Sequence, residues 1–247
     1  MNLNLKNIEN FCENNKNIVI TIDGPAGAGK GTVTRMLSNK LPLIYVEWGS
    51  VFRTVALLAS KMKVNIDSED ELIHLIHNSK IDFSYLDNQF KIYLYGEDVS
   101  EYIRTPEISK ASSKIASSPT IHKELTKLLH KLVNGKNILI EGRATGSAMF
   151  QNAFLKVYLD ASIEERATRR FNEWRIEKKD ITLDYVTNQI KERDFLDTNR
   201  EYAPLKCVEN AIYIDSSTIT PEEVCEIILK EIINKIESRS NNDETKL

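Results

Sequence analysis

The sequence predicts an α/β fold: a five-stranded parallel sheet with helices on both faces. Three observations carry this. Short apolar runs rich in strand formers recur at 18–22, 43–46, 138–140, 155–159 and 211–214. Helical patterns separate them, and strands buried on both faces of a parallel sheet read as continuous apolar runs. The first run also leads straight into Gly24-Pro25-Ala26-Gly27-Ala28-Gly29-Lys30-Gly31-Thr32, a strand–turn–helix passage with the makings of a phosphate-binding P-loop.

In that passage the glycines let successive backbone N–H groups turn inward toward phosphate oxygens. A helix opening near Lys30 adds the positive end of its dipole. Lys30 is placed to reach the outer phosphates, and Thr32 is the nearest hydroxyl for Mg²⁺. The usual pattern has Ser or Thr directly after the lysine; here Gly31 intervenes. An ordinary glycine turn is the bland alternative.

Between the second and third core strands the texture changes. The run 81–85 alternates strictly, and with 90–95 it flanks Asp87-Asn88, which predicts an antiparallel hairpin. A small α+β insertion is therefore expected at about 63–104. Near the end, Thr220, Pro221 and Glu223 supply the N-cap, first helical residue and capping-box acid of a last helix. From about 238 to 247 the chain has no apolar face and reads as a disordered tail. Residues 1–16 read as a polar N-terminal extension without the apolar stretch of a signal peptide.

Composition narrows the class. The 247 residues are 41% hydrophobic and 28% charged, enough chain for a sizeable core in one large domain. A net charge of −3 argues against a nucleic-acid partner. No run approaches the ~18 apolar residues of a membrane span. The cysteines, Cys12, Cys207 and Cys225, lack metal spacing and suit a reducing compartment. A cytoplasmic monomer is expected. His74, His77, His122 and His130 show no metal-site grouping.

Arg166, Arg169 and Arg170 share one helical face by their i, i+3, i+4 spacing. They read either as cover over phosphates, where charge neutralisation drives phosphoryl transfer, or as a solvated face paired with Glu164, Glu165 and Glu173. Arg175 joins them only if the helix ends before it. Arg193, Asp197 and Arg200 fall at i, i+4, i+7, giving two guanidiniums able to fork phosphate oxygens around a carboxylate that could accept from ribose hydroxyls; an internal salt-bridge network is the alternative. Arg53, after Gly49-Ser50-Val51-Phe52, adds a cation. Glu141 closes the third core strand, where an acid can hold Mg²⁺ or its water shell, or simply face solvent.

Together these residues resemble the bacterial cytidylate kinase family, from about 18 to 229. The resemblance runs from Ile22-Asp23-Gly24-Pro25 through Thr32, with Gly31 included, to Gly49 with Arg53 and Ile103-Arg104-Thr105. It continues through Glu141-Gly142-Arg143, Leu159-Asp160-Ala161-Ser162, Glu192-Arg193-Asp194, Asp197, Arg200 and Pro204-Leu205. It implies a P-loop NTPase core at 17–237, a monophosphate-binding insertion at 63–104 and a short arginine-bearing lid at about 170–184. It also implies transfer of the γ-phosphate of ATP, with Mg²⁺, to CMP or dCMP. Arg53, Arg193 and Arg200 would hold the acceptor phosphate and Asp197 the sugar. The base pocket departs from the family: Gly-Arg-Asp is here Gly142-Arg143-Ala144, a base-reading arginine falls at His122, and the Asp-Ser pair before Gly49 is Glu47-Trp48. Ser113 remains. The acceptor is therefore CMP/dCMP or a related monophosphate chosen by an altered pocket. Two alternatives are a nucleotide-binding regulatory protein without productive acceptor binding and a GTPase; no Asn-Lys-x-Asp stretch supports the latter.

Overall fold

The computed structural model of the chain describes residues 5–175 and 181–244. Its first half runs α1 (Leu5–Asn14), β1 (Val19–Asp23), α2 (Lys30–Ser38), β2 (Ile44–Glu47), α3 (Trp48–Met62), α4 (Glu69–His77), β3 (Ile81–Leu86), β4 (Gln89–Leu94) and β5 (Glu97–Asp98). After a 3-10 turn come α5 (Pro106–Ser117), α6 (Pro119–Val133), β6 (Ile138–Gly142), a π-helical turn (Thr145–Met149), β7 (Leu155–Asp160), α7 (Ile163–Trp174), α8 (Leu183–Asn199), β8 (Ile212–Asp215) and α9 (Pro221–Glu244).

The five apolar runs form one parallel sheet in the order β2-β6-β1-β7-β8. The register sets Val19 beside Ile138 and Asp23 beside Gly142, so β1 and β6 end level. Alternation along the strands feeds two cores. Ile20 and Ile22 of β1 and Leu139 of β6 pack with Val33, Leu37 and Ile228 of the flanking helices. Ile138 and Ile140 face a second core with Val51, Val55, Leu125 and the hairpin residues Phe83 and Ile92. The strands thus carry few polar positions because both faces are covered.

Helix starts follow local chemistry. Ser68, Thr105, Ser118, Ser162 and Thr182 each accept a backbone N–H at the head of α4 to α8, caps worth about 1 kcal/mol apiece. At α9, Glu223 accepts the Thr220 N–H at 2.7 Å and the Thr220 hydroxyl accepts the Glu223 N–H at 3.2 Å, closing the capping box. The hairpin turns on Asp87 and Asn88, both left-handed at φ 52° and 62°, the pairing that a type I′ turn requires. Its strands pair from Ile81–Leu94 to Leu86–Gln89, and they share their core with α3 and the sheet rather than forming a separate one.

Both chain ends differ from expectation. Within the polar 1–16 extension, α1 buries Ile8 and Cys12 in the α9-side core, and Phe11 meets Phe154 at 5.2 Å. Ile8 and Cys12 lie four apart on one helical face, a signal masked by the surrounding Asn, Lys and Glu. At the other end α9 continues to Glu244, through residues read as disordered, because extending an established helix costs far less than nucleating one. Residues 245–247 lie outside the described residues, as do 176–180 of the expected lid.

Candidate active site

Asp23, the last residue of β1, is buried and accepts three bonds: from the Thr145 N–H and hydroxyl at 2.8 Å each and from the Gly146 N–H at 2.7 Å. Burial raises its pKa against the pull of those donors. The following loop has almost no lateral room. A Cβ on Gly24 would lie 1.9 Å from the Leu159 carbonyl oxygen, and one on Gly27, at φ 80°, 2.9 Å from that of Arg166. Side chains are thus excluded where β7 and α7 close over the loop.

The loop opens into α2 with Gly29 as N-cap and no side chain capping it, unlike the hydroxyl-capped helices elsewhere. Unspent N–H groups therefore point out of the α2 N-terminus beside the loop, an anion site by geometry and dipole. Lys30 is buried and donates to the Pro25 carbonyl at 2.8 Å. Burial, then Arg143, push its pKa down to about 7, against Glu141. A cation held there without a carboxylate partner gains from any anion that reaches it. Thr32 is exposed on the first turn of α2, and Glu141 is half-buried on β6. Burial raises the Glu141 pKa although Lys30 opposes it.

Asp197 of α8 gathers the cations. It accepts from Arg143 Nε at 2.8 Å, and Arg193 and Arg200 each stand at 3.9 Å. Burial works to raise its pKa, but Arg143, Arg193 and Arg200 outweigh it and hold the carboxyl below the usual range. Arg193 keeps an unpartnered buried Nε, and burial with Arg143 brings its pKa down to about 10. Arg53 pairs with Glu47 and donates to Ser50 at 2.9 Å, leaving a buried Nε without an acceptor. Arg104 also reaches Glu47, at 3.6 Å.

The α7 arginines reach different partners. Arg166 donates to the carbonyls of Ala161 (2.9 Å) and Ala26 (3.1 Å) and to Asp194 (2.5 Å). Arg169 reaches Glu165 and the Ser216 hydroxyl and carbonyl, with its guanidinium 3.8 Å from where a Gly29 Cβ would lie. Arg170 pairs with Glu173 at 2.9 Å and stacks on Trp174. Arg175 sits at the helix end, exposed. Asp194 is the residue that spacing alone did not single out: it takes Arg166 on one oxygen and the Ala26 N–H, at 3.3 Å, on the other, tying α8 to the loop.

On the acceptor side, Trp48 opens α3 and is buried at 3% exposure. It meets Phe52 at 5.1 Å and His122 at 6.3 Å; His122 also packs on Phe52 and Tyr202 at 5.2 Å each. The indole thus fills space inside this aromatic group, with its N–H unpartnered. Burial, then Arg200, push the His122 pKa down to about 4. Ala144 is buried, while Ser113 is half-buried and donates to the Ser109 carbonyl at 3.1 Å. Among the described residues there is no group of three or more His, Cys, Asp or Glu arranged to hold a metal ion. No described helix is long and apolar enough to cross a membrane.

A parallel sheet whose central strand runs into a lysine-bearing, uncapped glycine loop, facing a cluster of arginines, defines a P-loop phosphotransferase. The cytidylate kinase family model matches residues 20–234. The chain is 41% identical over 223 residues to a cytidylate kinase of Mannheimia succiniciproducens, covering 90% of this chain and 98% of that one. It is 39% identical over 211 residues to one of Aeromonas salmonicida, covering 85% and 92%. In fold it is similar to a solved uncharacterized protein of Eubacterium ventriosum, at 10% identity and a TM-score of 0.51 over 87% of this chain and 98% of that chain. The chain belongs to the cytidylate kinase family and is a nucleoside monophosphate kinase.

Proposed function

We propose that the protein transfers the γ-phosphoryl group of ATP to a nucleoside monophosphate, CMP or dCMP or a related acceptor selected by an altered base pocket. The observation that carries this is Asp197 ringed by Arg143, Arg193 and Arg200 beside the buried Lys30. Two anion-seeking groups then converge, one on the donor loop and one on an acceptor clamp.

The donor phosphates fit the loop because the α2 N-terminus has no side-chain cap and, among the described residues, Lys30 donates only to a carbonyl. Thr32 and Glu141 would hold Mg²⁺, directly or through water, and Mg²⁺ when bound neutralises phosphate charge. Arg53, Arg193 and Arg200 would take the acceptor phosphate and Asp197 its sugar. An incoming phosphate supplies the acceptors that the Arg53 and Arg193 Nε groups lack. No general base is needed, since the acceptor phosphate is already ionised. Arg169 stands beside the loop at Gly29, and exchange of Arg170 from Glu173 to phosphate would add charge neutralisation. Arg166 acts by fixing the loop through Ala26.

Acceptor choice rests on Trp48, His122, Ala144 and Ser113. None of these four is a carboxylate, the group that accepts from the exocyclic amine of cytosine. A site without its polar partners can lose up to ~10⁴-fold of discrimination. The test is ATP consumption with CMP, dCMP, UMP, AMP, GMP and dTMP. Turnover with CMP and dCMP alone establishes a cytidylate kinase with a tolerated pocket. Preference for another member establishes the altered choice, and ATP binding with no turnover on any of them rejects the proposal.

A further inference from the structure

Behind the phosphate loop, away from the acceptor clamp, the sheet face at β7 carries a cavity of about 600 Å³. Its walls include Gly146, Ser147, Gln151, Lys156, Glu209 and Asn210. Lys156 is the second residue of β7, where it pairs in register with Thr21, and is 7% exposed. Its ammonium has three protons to donate. Among the described residues it has a single acceptor, the neutral side-chain oxygen of Asn210 at 3.2 Å, and no ion pair. A nearly buried cation without a counter-charge is costly. Lys235 of α9 is another cation in its neighbourhood: its own pKa is lowered by burial, then by Arg239 and Lys156. In the same wall the Ser147 hydroxyl is buried with no partner, and rotation about its Cα–Cβ bond turns it into the cavity.

We propose that this cavity is a binding site for a small monocarboxylate, one oxygen taken by Lys156 and the other by the Ser147 hydroxyl. A single cation matches a single negative charge, and Glu209 on the rim opposes a doubly charged phosphate. The site lies against the Asp23 support, since the Gly146 N–H donates to Asp23 at 2.7 Å. It shares no side chain with the acceptor clamp.

The test titrates the ¹⁵N-labelled full chain with sodium acetate, with inorganic phosphate and with chloride, all at one ionic strength. The amide signals of Gly146 and Ser147 and the Asn210 side-chain signal are followed. Saturable shifts with acetate, weaker ones with phosphate and none with chloride are expected. Asn210→Asp gives Lys156 its own carboxylate; it should weaken acetate binding at least tenfold while raising the melting temperature. Ser147→Ala should weaken acetate binding without loss of fold. Absence of saturable acetate shifts, binding of phosphate in preference, or unchanged acetate binding in Asn210→Asp overturns the proposal.

Discussion

Arg143 and Asp197, 54 residues apart in the chain, meet at 2.8 Å. Arg143 follows β6 and Asp197 lies in the last turns of α8, so the pair joins the end of a strand beside the central one to the helix that carries Arg193. With Arg193 and Arg200 close by, one carboxylate offsets three guanidiniums.

Asp197→Asn should therefore destabilise the unliganded protein by about 2–3 kcal/mol, below the full loss for a buried pair because 15% of the side chain meets solvent. Inorganic phosphate should restore more melting temperature to the variant than to the wild type, since an anion binding only the folded state stabilises it by mass action. Equal melting without phosphate would remove Asp197 as the counter-charge.

Asp194 and Arg166 form the second tether. Asp194→Asn should weaken ATP binding, measured calorimetrically, and lower stability by about 3 kcal/mol through the buried guanidinium it leaves. The double variant Asp194→Leu, Arg166→Met should recover stability while ATP binding stays weak. Recovery of both would show that the pair does not shape the loop.

The loop glycines are not equivalent. Gly24→Ala places a methyl 1.9 Å from a carbonyl oxygen and should cost more than about 4 kcal/mol or abolish folding. Gly31→Ala, in the first turn of α2 with its nearest contact the Tyr45 hydroxyl at 3.5 Å, should be neutral or stabilising by up to about 1 kcal/mol. Thermal melts of the two variants decide this.

His122 sets a pH dependence. Its pKa falls from 6.5 to about 4 on folding, so the fold favours the neutral ring while the unfolded chain takes up a proton near 6.5. Its contribution is complete above that value and is lost as pH falls from 6.5 toward 4, by at most about 3 kcal/mol. Urea unfolding of wild type and His122→Gln across that window should show a shallower slope for the variant; parallel slopes would contradict the assignment.

The chain has two tryptophans, Trp48 and Trp174. In Trp174→Phe the remaining emission comes from buried Trp48, and the acceptor monophosphate should change it saturably whereas ATP alone should change it little. An unresponsive signal during turnover would place Trp48 away from the acceptor.

Much of this was readable in the chain. The five strands, the Asp87-Asn88 turn and the Thr220–Glu223 capping box depend on residues within a few positions of one another, and so does the glycine loop. Arg193 and Asp197 share α8 as their spacing predicts, whereas Arg200 is the extended residue just past the helix end and reaches Asp197 from there. For Arg166, Arg169 and Arg170 spacing fixes a common face but not what each long side chain reaches, so their separate partners were not legible. Asp194 was missed as a tether, because its partners Ala26 and Arg166 lie 168 and 28 residues away.

The sequence by itself determined the five parallel strands, the hairpin and the glycine loop after β1, since periodicity, caps and turn chemistry act over short spans of chain. Only the tertiary structure decided that α1 belongs to the core, that Trp48 is enclosed by Phe52 and His122, and that Arg143 rather than Arg193 makes the close bond to Asp197. Those outcomes follow from long-range packing and from charges sharing a low-dielectric site, where position in space, not separation along the chain, sets the energy.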